Sequence, residues 1–182
     1  MEADMGDFNN IEKSCGFYIS NMHFITMILP FIKTEMEEKN NIITLFELDL
    51  EKNINSVIEK LILSEAEKEN ILSINWKNTE IKGYQNFQKK LKENINGNTV
   101  ILICGSEDYI NNTNLFIENY IRKTKQKFIN IEIINFYNAE DFKDNVTNIL
   151  DNHKNIINTS GKHLISDIFE EYKDKEEHKN NA

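Results

Sequence analysis

Between Ile131 and Ile157 the chain passes through a buried-strand pattern, an amphipathic stretch and a second short apolar run in under thirty residues. Ile131 to Phe136 is apolar at almost every position, as expected for a strand with helices on both faces of a parallel sheet. Asn138 offers a side-chain oxygen to the free amides of a following helix, with Asp141 at the capping-box position. Phe142, Val146, Ile149 and Leu150 recur at i, i+4, i+7 and i+8, so a helix over Ala139 to Asn152 is expected to bury one face. His153 stands just past its end. A strand, a helix and a strand joined this closely define a βαβ unit and hence an α/β fold.

The same alternation continues along the chain. It predicts a three-layer α/β/α domain with a mostly parallel central sheet of about six strands. The expected strands are Cys15 to Ile19, Ile42 to Glu47, Ile71 to Trp76, Thr99 to Cys104, Ile131 to Phe136 and Asn155 to Asn158. Ile54, Val57, Ile58, Leu61 and Ile62 fit a helical stripe completely, and Ser64 with Glu67 reads as a capping box opening one short turn before Ile71. A first helix over Asn21 to about Lys39 carries Met22, Ile25, Leu29, Ile32 and Met36 on one stripe, with Phe24, Ile28 and Phe31 beside it. Pro30 interrupts it, and an interior proline costs roughly 3 kcal/mol, so a kink or two helices are expected. Further helices are expected over Tyr84 to Glu93, Thr113 to Gln126 and His163 to Tyr172. Residues 1–172 read as one domain, and the polar stretch from Lys173 as a disordered tail.

Thirty acidic against twenty-one basic residues give a net charge of -9, which opposes attachment to nucleic acid or to anionic lipid. The two cysteines, Cys15 and Cys104, lie in apolar strand-like runs, which fits buried reduced thiols in a cytoplasmic protein. The acidic start of the chain lacks the basic and apolar regions of a secretion signal, and Phe24 to Ile32, the longest apolar run, is too short for a membrane span.

Ligands of open parallel sheets bind beyond the carboxyl ends of the strands. The residues found there include Tyr18 and Ser20, Glu47, Trp76, Cys104 and Glu107, and Tyr137. Together they are expected to form a small polar and aromatic pocket. The segment from Cys15 to His23 lacks the second glycine and the lysine of a phosphate-cradling loop, and there is no G-x-G-x-x-G turn, so neither ATP hydrolysis by that route nor dinucleotide binding is indicated. Cys104 and His153 could be set out as nucleophile and base, but a small apolar residue ending a buried strand and a helix-terminal histidine are the simpler readings. His23, His153, His163 and His178 show no ligand spacing for a metal, and no cofactor is indicated.

With its elements in order, the chain resembles the MEDS family, the sensory domain of methanogen and methylotroph regulators of the DcmR type. The likeness is carried by Cys15 to Ser20 and Ile28 to Ile32 continuing through Thr34 to Ile43, then by Val100 to Ile110 with Phe116 to Tyr120, then by Phe136, Tyr137, Phe142, Asn152 and His153. It departs at Ser14 and Cys15, where a histidine is common, and at Lys154, where proline often follows the histidine. The resemblance implies a fold similar to RecA-like domains without a Walker A motif, no catalysis, and detection of small molecules in signal transduction or transcription regulation. It also raises Glu118 and His153 to candidate ligand-binding residues.

The leading expectation is therefore a non-enzymatic sensory domain that binds a small organic ligand through residues drawn from Tyr18, Ser20, Glu47, Trp76, Cys104, Glu107, Glu118, Tyr137 and His153. No DNA-binding helix pair or kinase segment is legible, so the signal would pass to a regulatory protein partner or through a homodimer. The alternatives are a ligand-independent interaction module that antagonises a regulator, a hydrolase or transferase using Cys104 or His153, and a nucleotide binder that has lost its lysine.

Overall fold

The alternation builds one six-stranded sheet in the computed structural model, which describes residues 11–79, 89, 98–124 and 130–173. The strands are β1 (Ile11–Tyr18), β2 (Asn41–Phe46), β3 (Thr99–Cys104), β4 (Ile131–Asn138), β5 (Asn155–Asn158) and β6 (Gly161–Leu164). They lie in the order β2-β3-β4-β1-β5-β6, all neighbours parallel except β6, which returns antiparallel to β5. Helices α1 (Asn21–Glu37), α2 (Glu51–Ile58) and α3 (Glu65–Leu72) contribute to the core on one face. The other face is packed by α4 (Glu107–Thr124) and α5 (Val146–Asp151), with α6 (Ile165–Ile168) and a 3-10 turn at Glu170–Tyr172 beside them. The three-layer α/β/α architecture with a mostly parallel sheet is as the sequence predicts.

Strand side chains alternate between the faces. On β4, Ile131, Ile133 and Tyr137 join the α4 side, while Ile134 and Phe136 join the α1 side. Phe24 of α1 is fully buried at the centre of the α1-side core, with its ring 5.0 Å from Phe136, 5.1 Å from Tyr18 and 5.5 Å from Phe46. Gly16 on β1 is the register partner of Phe136, and a Cβ there would lie 2.7 Å from the Phe136 ring. The missing side chain on one strand makes room for the ring on the next.

Several elements depart from the pattern-based expectation. Ile71 to Trp76 is not a strand. Ser64 and Glu67 do form a capping box, and the helix they start consumes Ile71 and Leu72. Trp76 is then held in an irregular segment, its indole N–H donating to the Ile71 carbonyl at 2.8 Å. The helix after β2 ends at Ile58, leaving Leu61 and Ile62 exposed instead of on a buried stripe. Pro30 is carried inside a single helix from Asn21 to Glu37, not a pair. The face it would disturb is exposed, and the burial of Phe24, Ile25, Ile28 and Ile32 outweighs one lost backbone bond.

His163 to Tyr172 is not one helix either. Asn158 accepts from the Ser160 amide at 2.8 Å, and Gly161 takes φ +118, a turn that folds the chain back as β6. The helix expected over Tyr84 to Glu93 falls outside the described residues except at residue 89, and the expected tail falls outside them beyond residue 173. Among the described residues no helix is long and apolar enough to cross a membrane.

The β5–β6 hairpin carries Lys162 to the amino end of the sheet, where its Nζ lies 2.7 Å from Glu12 and 2.8 Å from Glu132. Asn155 and Ser14 donate to the same two carboxylates. Lys162→Met is expected to lower stability by about 1–3 kcal/mol, because two half-buried carboxylates lose a charged donor. The Lys162 ammonium holds the Glu12 carboxyl below its usual value, so this contribution is present above the unfolded carboxylate pKa and fades as pH falls through the folded one. Urea denaturation of both proteins at neutral pH and near pH 3 checks it; a gap that does not narrow in acid would refute the assignment.

Candidate functional site

Two helices of unequal length leave part of the sheet uncovered on the α4 side. α4 runs for 18 residues from a tight entry at Cys104, Gly105 and Ser106, where the Ser106 amide donates to Glu47 Oε2 at 2.5 Å. α5 has only 6 residues. The chain between β4 and α5 is spent on turns, and the Asn138 carboxamide accepts from the Glu140 amide at 3.0 Å instead of capping a long helix. The helix expected over Ala139 to Asn152 is thereby cut to its last half.

Between the two helices lies a cleft of about 270 Å³, lined by Lys13, Glu107, Asn111, Asn114, Asn135, Tyr137, Phe142, Asn145, Asn148, Ile149, Asn152 and His153. Its floor is a connected polar chain. Asn114 Nδ2 donates to Asn135 Oδ1 at 2.9 Å, and Asn135 Nδ2 lies 3.0 Å from His153 Nε2. His153 Nδ1 lies 2.6 Å from the Ile149 carbonyl oxygen. A carbonyl can only accept, so Nδ1 carries the proton, and Nε2 accepts from Asn135. Every member has one orientation that satisfies its neighbour, which fixes the imidazole neutral and the two amides in register.

Burial holds His153 below the usual histidine pKa of 6.5, and Lys13 nearby pushes the same way against the opposing bond to Ile149. The folded protein therefore binds this proton less readily than the unfolded chain. The neutral ring's contribution is complete at pH above 6.5 and is lost as pH falls below it. The expected result is a urea midpoint that drops between pH 7.5 and pH 5.5, with a smaller drop in His153→Gln. Equal drops in the two proteins would rule out His153 as the source.

Aromatic rings close the upper part of the cleft. Tyr137 meets Phe142 edge to face at 4.9 Å and 73°, and meets the His153 ring at 6.0 Å and 80°. Lys13 is neutralised by Glu118 at 2.5 Å. Asn114 Oδ1 is sealed from solvent and accepts no hydrogen bond.

Of the residues singled out in the sequence, Glu107, Tyr137 and His153 line this cleft, and Glu118 reaches it through Lys13. Tyr18, Trp76 and Cys104 belong to the core on the other face. Phe17, not Tyr18, is the register partner of Tyr137, so the two tyrosines point away from each other. Cys104 is fully buried beside the Tyr18 hydroxyl, and burial pushes its thiol up to about 12. Ser20 caps α1, accepting from the His23 amide at 3.2 Å, and Glu47 holds the entry of α4. The expected rim at the strand ends is thus divided between two faces, and the cleft opens beside the sheet.

Lys13 and five of the six asparagines of the cleft carry no ligand-site motif in the sequence, and the sixth, Asn152, enters only through the MEDS likeness. Asn135 had a visible signal, an amide on the face of a strand where Ile131 and Ile133 precede it. Asn111 with Asn114, and Asn145 with Asn148 and Asn152, sit at helical spacings, but abundant asparagine elsewhere in the chain conceals them. A wider cleft of about 400 Å³ at the opposite end of the strands is walled by Glu12, Glu35, Glu38 and Glu132 with Lys162. Among the described residues no group of three or more histidine, cysteine or acidic side chains is placed to hold a metal ion.

Compared with known proteins, the chain matches no family model, no curated protein and no solved structure.

Proposed function

We propose that this chain is a non-enzymatic sensory domain that takes a small organic ligand into the cleft between α4 and α5 and signals through a partner protein. The observation that carries the proposal is the polar chain from Asn114 through Asn135 to His153. Ordering one buried and two partly buried polar side chains in register has a desolvation cost, and such order in a lined hollow is how a receptor fixes the orientation of what it binds. The likeness to MEDS sensory domains, whose marker positions include Tyr137 and His153, supports the same reading. The protonated, fully buried Cys104 thiol lies on the other face from His153, which disfavours a nucleophile and base pair. The absence of a phosphate-cradling loop after β1 disfavours a nucleotide.

Native mass spectrometry of the purified chain tests the reading. The expected result is a small molecule carried through purification and lost in Tyr137→Ala. An unliganded chain that captures a regulator equally well with and without Tyr137→Ala would replace it with the interaction-module reading. That second reading has its own support in Leu61 and Ile62, which the early end of α2 leaves exposed.

A further inference from the structure

The chemistry of the cleft also indicates what class of ligand it takes. We infer that its occupant is a neutral polyhydroxylated molecule of about one ring, a monosaccharide or cyclic polyol; the inference rests on the receptor reading above.

Three observations converge. The first is charge. The cleft's lysine is already held by Glu118, His153 is neutral with both ring nitrogens engaged, and Glu107 adds a negative charge at the rim. A phosphate or carboxylate would meet no free cation and one like charge, which costs more than the hydrogen bonds return.

The second is the kind of hydrogen-bonding group. Asn111 and Asn114 stand on the α4 wall, while Asn145, Asn148 and Asn152 stand on or beside α5. Asn114 Nδ2 is already spent on Ile110 and Asn135, and Asn152 Nδ2 on Asn148, so the pairing falls to Asn111, Asn145 and Asn148, whose carboxamides both donate and accept as each sugar hydroxyl does. A flat heterocyclic base presents its polar edge in one plane and needs apolar surface above and below. Here amides line both walls of the cleft, which suits a puckered ring with hydroxyls radiating on all sides. The apolar faces of Tyr137, Phe142 and Ile149 remain for the C–H surface of such a ring.

The third is size. The volume of about 270 Å³ lies just below the usual range of roughly 300–1,000 Å³ for drug-sized ligands, which fits one ring and not a nucleotide.

The test is saturation-transfer NMR on the full chain. The panel comprises D-glucose, D-galactose, D-mannose, D-ribose and myo-inositol, the 6-phosphates of the hexoses, and the free bases adenine and uracil. The expected result is saturable transfer from at least one neutral sugar or polyol, with its phosphate bound at least tenfold more weakly. Asn111→Ala and Asn148→Ala remove one exposed amide from each wall without touching the buried chain. Each is expected to weaken binding by about three- to tenfold, the worth of one neutral hydrogen bond, with the melting temperature unchanged. Binding that neither substitution weakens would also count against the site. Transfer from a base or a phosphate alone would overturn the ligand class and leave the receptor reading standing. Silence from the whole panel would overturn the sugar assignment, while the receptor reading would still be decided by the native mass spectrum.

Discussion

Phe136→Ala is expected to be the most destabilising single truncation in this protein, at about 3–5 kcal/mol. Phe136 is fully buried, and its ring packs edge to face on Phe24 at 5.0 Å and 69°. The ring also fills the space above Gly16, so its loss opens a void at the junction of β1, β4 and α1. Neighbours on three elements are held by the sheet and by α1, and they cannot all collapse into the gap. The size of the cost follows from that rigidity as much as from the area exposed. The complementary change, Gly16→Val, drives a branched side chain into the same ring and is also expected to destabilise. Urea denaturation of the two variants measures both. A loss below about 1 kcal/mol for Phe136→Ala would mean that this core packs differently.

The second large effect is expected from Asn135→Leu, a substitution of similar size in the floor of the cleft. It removes the donor to His153 Nε2 and the acceptor of Asn114 Nδ2. A buried polar group left without its partner costs about 1–3 kcal/mol. Ligand binding should be lost outright, because the imidazole and the Asn114 amide are no longer held in register. The double variant Asn135→Leu with His153→Leu removes donor and acceptor together, so it should be more stable than the sum of the single losses. A coupling of about 0.5–3 kcal/mol is expected from a double-mutant cycle. Additive losses would show that Asn135 and His153 do not share a hydrogen bond of consequence, and the polar chain would no longer support a receptor.

These two residues sit at neighbouring positions of β4 and do opposite work. Phe136 faces α1 and holds the layers together, while Asn135 faces α4 and shapes the hollow. The strand itself was legible, since a short isoleucine-rich run bounded by polar turn residues is too short for a helix of ordinary length. Asn135 was legible as an anomaly within that run, and His153 as a helix-end residue. Their pairing was not, because 18 positions separate them and the helix between them is much shorter than its apolar spacing suggests. Turn chemistry at Asn138 competes with helix propagation and takes the first half of that segment.

The same competition explains the misplaced third strand. Ile71 to Trp76 has strand-like composition, but the capping box at Ser64 and Glu67 nucleates a helix that runs into it. Here both signals were present: once the capped turn has formed, each added residue gains a backbone bond, and the helix takes Ile71 and Leu72 before it ends at Ser73. Tyr18 and Tyr137 illustrate a different limit. Both end parallel strands, yet the register that pairs Tyr137 with Phe17 sets them on opposite faces.

Alternating apolar and amphipathic runs, the capping box and the shortage of basic charge are properties of neighbouring residues and bulk composition, so the sequence alone carries them. They established an α/β layered domain and where most strands lie. Which strands adjoin, which face each side chain takes and how far α5 extends are outcomes of contacts between residues far apart along the chain. Those contacts form only when the whole sheet closes, and the asparagine-lined cleft exists because of them.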